Sequence, residues 1–462
     1  MTLIIVAIFL VCCILIATEK FTNVNKSAAA IFAGTVGWVL YICWGTDFVM
    51  HEHGGEYTDF LNGAVATSVA VKHYIAENIF LKYVGKAAEI VLFLLSTMTI
   101  VEILLNNGCF DFLTPWIRTR KSRKLLWMLS SCTFILSANL DNLTTASIML
   151  VVMHALVPNR RQRFIYGSSV VIAANAGGAL TVIGDPAGLW LWNSGAVTAS
   201  NFSMSLLLPC LVAWGLPTYL LGRELPERID IDWRPMPYRG DDTNLNAWQR
   251  VLMLIVGIGG LWFIPTFHNI TKLSPFLGAL CVLSVLWVVN EIFNRKLMNV
   301  DKMVERKMPR SLQYGVQQMI LYVMGFMLAV GVVQETGAVH WLAEAIDAHV
   351  HNCWILGIVA GLISSVLDNF AASLSFFSLY PVAESAAGGY GEAFLQNGIY
   401  WKIIAYSTAL AGNIVAIGSM SGVALLKMER MRITWYMAHV GWKAAAGWMA
   451  GLAVMALTLL VG

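Results

Sequence analysis

The sequence predicts an all-α polytopic membrane protein with about ten transmembrane helices, two re-entrant helical hairpins in an inverted-topology repeat, and discontinuous helices at its centre. Three observations lead to this fold class. Hydrophobic residues make up 58% of the 462 residues and charged residues only 12%, whereas a soluble domain carries about 25% charge. Apolar segments long enough to cross a bilayer recur along the whole chain. A polar six-residue pattern occurs twice, each time inside apolar sequence.

Eight uninterrupted apolar segments approach or reach the length that crosses a bilayer, about 17–25 residues. They lie near 2–17, 27–45, 84–105, 203–221, 249–264, 275–293, 313–334 and 435–460. The first segment lacks the basic start and the small-residue cleavage site of a signal peptide, so we expect a retained helix. Two further helices, interrupted by polar residues, bring the expected total to ten.

The repeated pattern places an aspartate in two matching apolar settings. Residues 137–142 read Ser-Ala-Asn-Leu-Asp-Asn and residues 364–369 read Ser-Ser-Val-Leu-Asp-Asn, so Ser, Leu, Asp and Asn keep their places. A carboxylate inside a membrane costs about 2.5–3.5 kcal/mol on insertion scales, and such groups usually mark functional sites. The duplication therefore indicates the two halves of one central binding site.

The first hairpin is predicted over 125–157, with the first copy of the pattern at its tip. It lies between two basic loops, 118–124 and 160–163, and short basic loops mark the cytoplasmic face. The segment must therefore enter and leave the membrane on one face. Because two full crossings need about 40 residues, this shorter segment fits a re-entrant hairpin. Its tip must be buried in protein or face a cavity.

The second hairpin is predicted over 353–380. The flanking loops, 338–352 and 384–397, contain no Lys or Arg, which places them outside. The second hairpin then enters from the opposite face, as an inverted-topology repeat requires.

Each hairpin is followed by a helix that glycines interrupt. Residues 183–188 (Ile-Gly-Asp-Pro-Ala-Gly) correspond to 417–422 (Ile-Gly-Ser-Met-Ser-Gly), with Ser419 in place of Asp185. Glycine lets the backbone leave helical geometry, and Pro186 suits the first turn of a restarting half-helix. Such breaks expose carbonyl and N–H groups that bind ions at mid-membrane depth.

We divide the chain into four parts on these grounds. They are N-terminal helices with an external polar segment (1–82), the first repeat (83–221), a linker with scaffold helices (222–311), and the second repeat (312–462). Both termini are expected outside.

Asp141 and Asp368, at the hairpin tips, are the first candidates for a binding site. An ionised carboxylate is a hard oxygen ligand for Na⁺ or Li⁺, and protonation removes that ligand. Competition for one carboxylate is therefore a simple basis for cation/proton exchange. The alternative is that each Asp only caps the half-helix that follows it.

Neutral oxygen ligands surround these two aspartates in the sequence. Asn142 and Asn369 either supply amide oxygens or lock the tips by hydrogen bonds. Ser137 and Ser364 lie one helical turn earlier and either coordinate the ion or bond back to a carbonyl of their own helix. Thr144 adds a hydroxyl on the first side only.

The interrupted helices and one long apolar helix hold the remaining candidates. Asp185 is either a second proton carrier or the cap of the half-helix that begins at Pro186. Asn175 and Asn413 flank the breaks, as site residues or as structural hydrogen-bonding groups. A proton path has three acidic candidates: Glu89, Glu102 and Glu335.

Other function classes find no support in the sequence. The eight cysteines have no metal-ligand spacing, and no Gly-rich phosphate loop or nucleophile–base pair occurs. No basic run is long enough to indicate nucleic-acid binding. We therefore expect a secondary transporter in contact with the lipid bilayer, with no enzymatic activity, no cofactor and no nucleic-acid partner.

The hairpin tips, 139–145 and 367–369, and the stretch from Asn175 to Pro186 resemble NhaD-type Na⁺/H⁺ antiporters of the ion transporter superfamily. This resemblance implies exchange of Na⁺ or Li⁺ for H⁺ across the cytoplasmic (inner) membrane, favoured at alkaline pH. It also implies a homodimer in which a transport domain moves past a scaffold. The functional positions it implies are Asp141, Asn142, Asn175, Asp185, Ser364, Asp368 and Asn369. Na⁺ itself is expected at Asp141, Asn142, Asp368 and Asn369.

The alternative within the same superfamily is a Na⁺-coupled transporter of carboxylates or other anions. In such transporters the hairpin tips are similar to Ser-Asn-Thr, and these neutral residues leave room for an anion beside Na⁺. The Asp at each tip of this chain would repel a dicarboxylate unless Na⁺ neutralised it.

Overall fold

The computed structural model describes residues 1–110, 117, 119–229, 245–294, 310–385 and 388–461. Within these ranges the regular elements are helices, apart from two isolated β-bridges. Part of the predicted linker, residues 230–244 and 295–309, lies outside the described residues.

Sixteen of the helices in the described residues form the architecture around the hairpins. They are α1 (Thr2–Ala17), α2 (Lys26–Cys43), α3 (Ser68–Asn106), α4 (Ser122–Ser137), α5 (Asn142–Leu156), α6 (Arg160–Leu180), α7 (Pro186–Asn193), α8 (Ala199–Gly222), α9 (Ala247–Thr271), α10 (Pro275–Asn294), α11 (Arg310–Glu335), α12 (Cys353–Ser364), α13 (Asn369–Phe377), α14 (Ile399–Ala411), α15 (Met420–Met428) and α16 (Trp442–Val461). Further short helices connect them, among them Ala338–Asp347 with ten residues.

Seven of the described helical segments are long and apolar enough to cross a membrane. They correspond to seven of the eight predicted spans. Five of them are α2, α3, α8, α9 and α10, and the other two are Gln317–Glu335 within α11 and Ile433–Thr458, which covers most of α16. Helix α1 is apolar but shorter, at 16 residues. Large apolar side chains on α9 and α10 point outward, Trp262 at 68% and Ile292 at 62% exposure, as expected of a lipid-facing surface. The chain is therefore a polytopic, all-helical membrane protein.

The external segment before the third span differs from its prediction. Short helices Gly45–Glu52 and Gly54–Leu61 fill its first half, and α3 then runs unbroken from Ser68 instead of starting near 84. The added turns bury Val71, Tyr74 and Ile75 against the N-terminal helices. Burial of these apolar side chains stabilises the helix through a stretch that also contains polar residues.

Two helix–break–helix hairpins carry the repeated pattern. Helices α4 and α5 pack against each other on either side of the break at 138–141, and α12 and α13 do so around 365–368. The breaks in the two following helices separate α6 from α7 and α14 from α15. The observed breaks agree with the predicted ones; the direction from which each hairpin enters the membrane stays a prediction.

Two glycines bring each interrupted helix against its hairpin. A Cβ on Gly184 would lie 2.7 Å from the carbonyl oxygen of Ser137, and one on Gly418 would overlap that of Ser364. Contacts at these distances exclude any side chain, so both positions require glycine. The same close approach therefore occurs at the same place in both halves of the chain.

The helices pack in two groups. In the first, α6 contacts α4, α8 and α14, while α14 contacts α12 and α16; this group contains both hairpins and both interrupted helices. In the second, α2 packs on α11 and α3 packs on α10 and α11. The groups meet where α11 faces α13 and where α3 faces α7. We call them the site group (α4–α8, α12–α16) and the scaffold group (α1–α3, α9–α11).

Candidate functional site

Asp185 lies where the two hairpin tips and the interrupted helices converge. The amide groups of Asn142 and Asn369, one from each tip, both donate to its Oδ2 at 3.0 Å. Its Oδ1 accepts from the backbone N–H of Ala187 at 3.0 Å, so it also caps α7. The cap proposed for Asp185 is therefore observed, and the same carboxylate also contacts both tips; its role as a second proton carrier stays a prediction.

The asparagines of the two interrupted helices, Asn175 and Asn413, belong to the same hydrogen-bonded cluster. Asn175 donates to the side-chain oxygen of Asn413 at 2.7 Å, and Asn142 approaches Asn175 at 3.5 Å. Asn175 is fully buried, and Asn413 is 2% exposed. Five of the predicted residues thus form one buried, hydrogen-bonded group: Asn142, Asn175, Asp185, Asn369 and Asn413.

Asp141 has one carboxylate oxygen without a partner. Its Oδ1 accepts from the backbone N–H of Thr144 at 2.8 Å, which caps α5. Its Oδ2 is buried and has no hydrogen-bond partner among the described residues. A buried polar atom without a partner is costly and is uncommon away from ligand sites. The cap therefore leaves one oxygen of Asp141 available for a cation.

Asp368 occupies the same place in the second hairpin, but its surroundings are different. Lys26, at the start of α2, contacts its Oδ2 at 2.8 Å, and the hydroxyl of Tyr322 on α11 donates to Oδ1 at 3.1 Å. Its carboxylate also caps α13 through the N–H of Phe370. The scaffold group therefore neutralises Asp368, whereas no ion pair is found for Asp141 or Asp185 within the described part of the chain.

Sequence reasoning missed Lys26 and Tyr322. Lys26 is the first residue of an apolar span, where lysines usually face the membrane surface. The only available signal was the need of an intramembrane carboxylate for a counter-charge, and that need does not say which basic residue supplies it.

The two motif serines hold the hairpins to the interrupted helices. Ser137 donates to the carbonyl of Ala174 on α6 at 2.5 Å, and Ser364 donates to that of Thr408 on α14 at 2.6 Å. The alternative of a bond back to their own helix is not what the structure shows. Both hydroxyls instead make the same cross-helix bond in each half of the molecule.

The three acidic residues of the suggested proton path lie apart from the Asp185 cluster. Glu89 accepts from Asn193 at the end of α7, and Glu335 accepts from the ring of His53 and the hydroxyl of Tyr83, each at 2.7 Å. Glu102 is partly buried on α3. The structure therefore does not bring them together with the tip carboxylates.

A cavity of about 430 Å³ separates the scaffold group from the second hairpin. Tyr83 and Lys86 line it from α3, while Trp190, Phe377 and Trp401 line it from the site group. It lies along α13, on the side away from the Asp368 tip. The two groups thus leave an open space between them beside the arm of the second hairpin.

Comparison with known proteins places this arrangement in a family. Residues 4–411 match the family model described as "Citrate transporter" (CitMHS). The chain belongs to the citrate transporter family. This family's description names an anion, so the individual relatives are informative about the cargo.

Several relatives of this chain are named as antiporters. Sodium/proton antiporter 2 of Arabidopsis thaliana is 30% identical over 80% of this chain and 84% of its own length. Sodium/proton antiporter 1 of the same plant is 33% identical over 85% of this chain, which spans 64% of the length of that relative. The Na(+)/H(+) antiporter NhaD of Vibrio cholerae is 25% identical over 94% of this chain and 87% of its own length. The resemblance to NhaD-type proteins of the ion transporter superfamily is confirmed.

Proposed function

We propose that this protein is a secondary antiporter that exchanges Na⁺ or Li⁺ for H⁺, with both ions competing for Asp141 and Asp185. The observation that carries the proposal is the buried pair of carboxylates without an ionic partner, placed beside neutral amides. An uncompensated carboxylate in a low-dielectric site must bind either a proton or a cation. Occupation by one ion excludes the other.

The charge of the site argues for a cation as cargo and against citrate. When ionised, Asp141, Asp185 and Asp368 carry three negative charges, and Lys26 balances one of them. A citrate anion would meet this excess of negative charge at distances where like charges strongly disfavour binding. The anion-transporting alternative therefore needs an arrangement of charge that the described residues do not provide.

Each ligand in the proposed site has a structural reason for its position. Asp141 and Asp185 are fixed by capping α5 and α7, and each cap uses only the Oδ1 atom. Asn142 and Asn369 hold Asp185 from both tips, so the carboxylate is oriented by two independent hairpins. A rigid set of oxygen atoms selects a small hard cation by geometry.

Alternating access would follow from movement of the site group against the scaffold group. The tips bind the ion, and both tips belong to the site group, so a movement of that group carries the whole site. We place the protein in the cytoplasmic membrane as a homodimer, in line with the NhaD resemblance; it needs no ATP, because the ion gradients drive the exchange.

The decisive experiment uses everted membrane vesicles with an imposed pH gradient. Addition of NaCl or LiCl should collapse the gradient, measured as dequenching of a pH-sensitive dye, while sodium-free citrate should not. Vesicles from cells without the protein are the control. Uptake of labelled citrate with Na⁺, without proton movement, would reject the proposal and favour the anion transporter.

A further inference from the structure

The carboxylate of Asp368 is occupied from the scaffold side. Lys26 approaches Oδ2 at 2.8 Å, and the hydroxyl of Tyr322 and the N–H of Phe370 reach Oδ1 at 3.1 and 3.2 Å. The Lys26 ammonium also lies 4.5 Å from the centre of the Tyr322 ring, a favourable cation–π distance. The side chains of the pair are 15% and 4% exposed, respectively, so solvent screens the pair only weakly.

The matching position in the first hairpin has no such partner. Asp141 caps α5 as Asp368 caps α13, and both follow a Ser and a Leu in the same places. Yet the Oδ2 atom of Asp141 is bare where that of Asp368 meets an ammonium. The two halves therefore differ by one fixed positive charge.

We propose that Lys26 is a tethered cation that keeps Asp368 ionised and outside the exchange, so that Asp141 and Asp185 alone bind the transported ions. This inference rests on the proposed antiport. Because the Lys26 amine is part of the chain, it is not transported, and it neutralises Asp368 while the site group and the scaffold group are packed as in this structure. Lys26 is thus a positioning residue, and it limits how many carboxylates release protons when Na⁺ binds.

The surroundings of Asp368 offer no other cation to replace Lys26 within the described residues. Three ionisable groups face Asp368 directly: Lys26 of α2, Tyr322 of α11 and Asp185 at the start of α7. Two more, Cys12 and Cys13 of α1, lie near Tyr322. Lys26 is the one basic group among them. Without it, Asp368 would have to bind a proton or Na⁺ itself.

Three variants separate this role from a purely structural one. Asp368→Asn leaves the Lys26 charge uncompensated beside the site and should raise the KM for Na⁺ about tenfold or more. Lys26→Met leaves Asp368 without its counter-ion, so Asp368 should compete as an additional carboxylate, and the KM should depend on pH more steeply than in the wild type, by up to about a further tenfold per unit. Lys26→Arg retains the charge and should keep the wild-type pH profile.

The double variant Lys26→Met with Asp368→Asn decides the question. It removes both charges and leaves Asp141 and Asp185 intact, so it should regain exchange with the wild-type pH dependence of KM. Lys72→Met, an exposed lysine on the external side of α3, is the matched control and should change neither quantity. Folding of every variant is checked by elution as a single peak in detergent and by thermal unfolding.

Failure of the inference is distinct from failure of antiport. If wild-type vesicles show no Na⁺-dependent proton movement, the proposed function is wrong. If the wild type exchanges while the folded double variant does not, Asp368 carries exchanged charge and the inference is wrong. An unchanged pH profile in folded Lys26→Met would also overturn it, because Asp368 would then not have been freed to titrate.

Discussion

At the scale of single residues, each candidate aspartate combines a helix cap with a possible ligand. Asp141, Asp185 and Asp368 all accept from backbone N–H groups at the start of a helix. A cap explains why an aspartate is tolerated at such a place but does not explain its charge, since Asn caps equally well. The Oδ2 atom, which makes no bond to the capped helix, therefore distinguishes the three residues. In Asp141 this atom has no partner, in Asp185 it accepts from two amide groups, and in Asp368 it is paired with an ammonium group.

Substitution of Asp141 by asparagine separates the cap from the charge. Asn keeps a side-chain oxygen for the N–H of Thr144, so stability should change by less than about 1 kcal/mol. Na⁺-driven proton movement should nevertheless be lost, because the site can no longer release a proton to a cation at this position. Vesicle dequenching and the unfolding temperature in detergent measure the two effects.

Asp141→Ala and Asp59→Asn are informative controls for this test. The alanine variant should lose exchange and also stability, since it removes the cap. Asp59 is exposed in the external segment, and its substitution should affect neither. Normal exchange in Asp141→Asn would mean that this residue is only a cap.

The sequence was sufficient to predict which residues of the repeats belong together, but not what neutralises them. Asp141, Asn142 and Asn369 were predictable because a duplicated polar pattern in apolar sequence is rarely accidental. Lys26 lies 342 positions from Asp368 and follows no pattern, so only the packed structure reveals their pairing. Likewise, the target of the Ser137 hydroxyl depends on how α4 crosses α6, which helical periodicity does not specify.

At the scale of elements, the hairpins and interrupted helices act as pairs. Gly184 and Ser137 join the first hairpin to α6 and α7, and Gly418 and Ser364 join the second to α14 and α15. The same glycine and serine contacts occur in two halves whose sequences differ, which supports the proposal of one duplicated unit. An inverted repeat also requires that the two units face opposite sides of the membrane.

Cysteine labelling tests that requirement. In a variant without the eight native cysteines, single cysteines at Thr119 and Gln162 should react with an impermeant maleimide only from the cytoplasmic side. A cysteine at Gly389 should react only from outside, because its loop contains no basic residue. The expected labels follow from a first hairpin that enters and leaves on the cytoplasmic face.

Right-side-out and everted vesicles provide the comparison, with a permeant maleimide as the control for reactivity. Labelling of positions 119 and 162 from opposite faces would show that the first hairpin crosses the membrane completely. The repeat would then not be inverted, although the geometry of the tips would stand.

At the scale of the whole molecule, the proposed antiport uses one buried site that the two ions share. Competition at common carboxylates predicts that the apparent KM for Na⁺ rises about tenfold for each unit by which pH falls, once a single competing proton is held. The maximal rate at saturating Na⁺ should change much less, because saturating cation displaces the proton. Initial rates of dequenching across a series of pH values and Na⁺ concentrations measure both quantities.

A different pattern would indicate regulation elsewhere. A constant KM with a strongly pH-dependent maximal rate would locate the titration outside the ion site. The pair of His53 and Glu335, which joins the external segment to α11, would be the first place to examine.

The proposed alternating access also requires that the site group and the scaffold group move relative to each other. They are linked near the cavity by a bond from the Gln334 side chain to the carbonyl of Ser378, at 3.2 Å. Cysteines at these two positions, in the variant without native cysteines, should form a disulfide that holds α11 of the scaffold group against the second hairpin. Exchange should stop on oxidation and return on reduction.

A matched pair at Thr198 and Asn397, which are in contact within the site group, should cross-link without loss of exchange. Full activity of the oxidised 334–378 pair, with cross-linking verified by mass spectrometry, would mean that ions reach both sides of the membrane without movement between the groups.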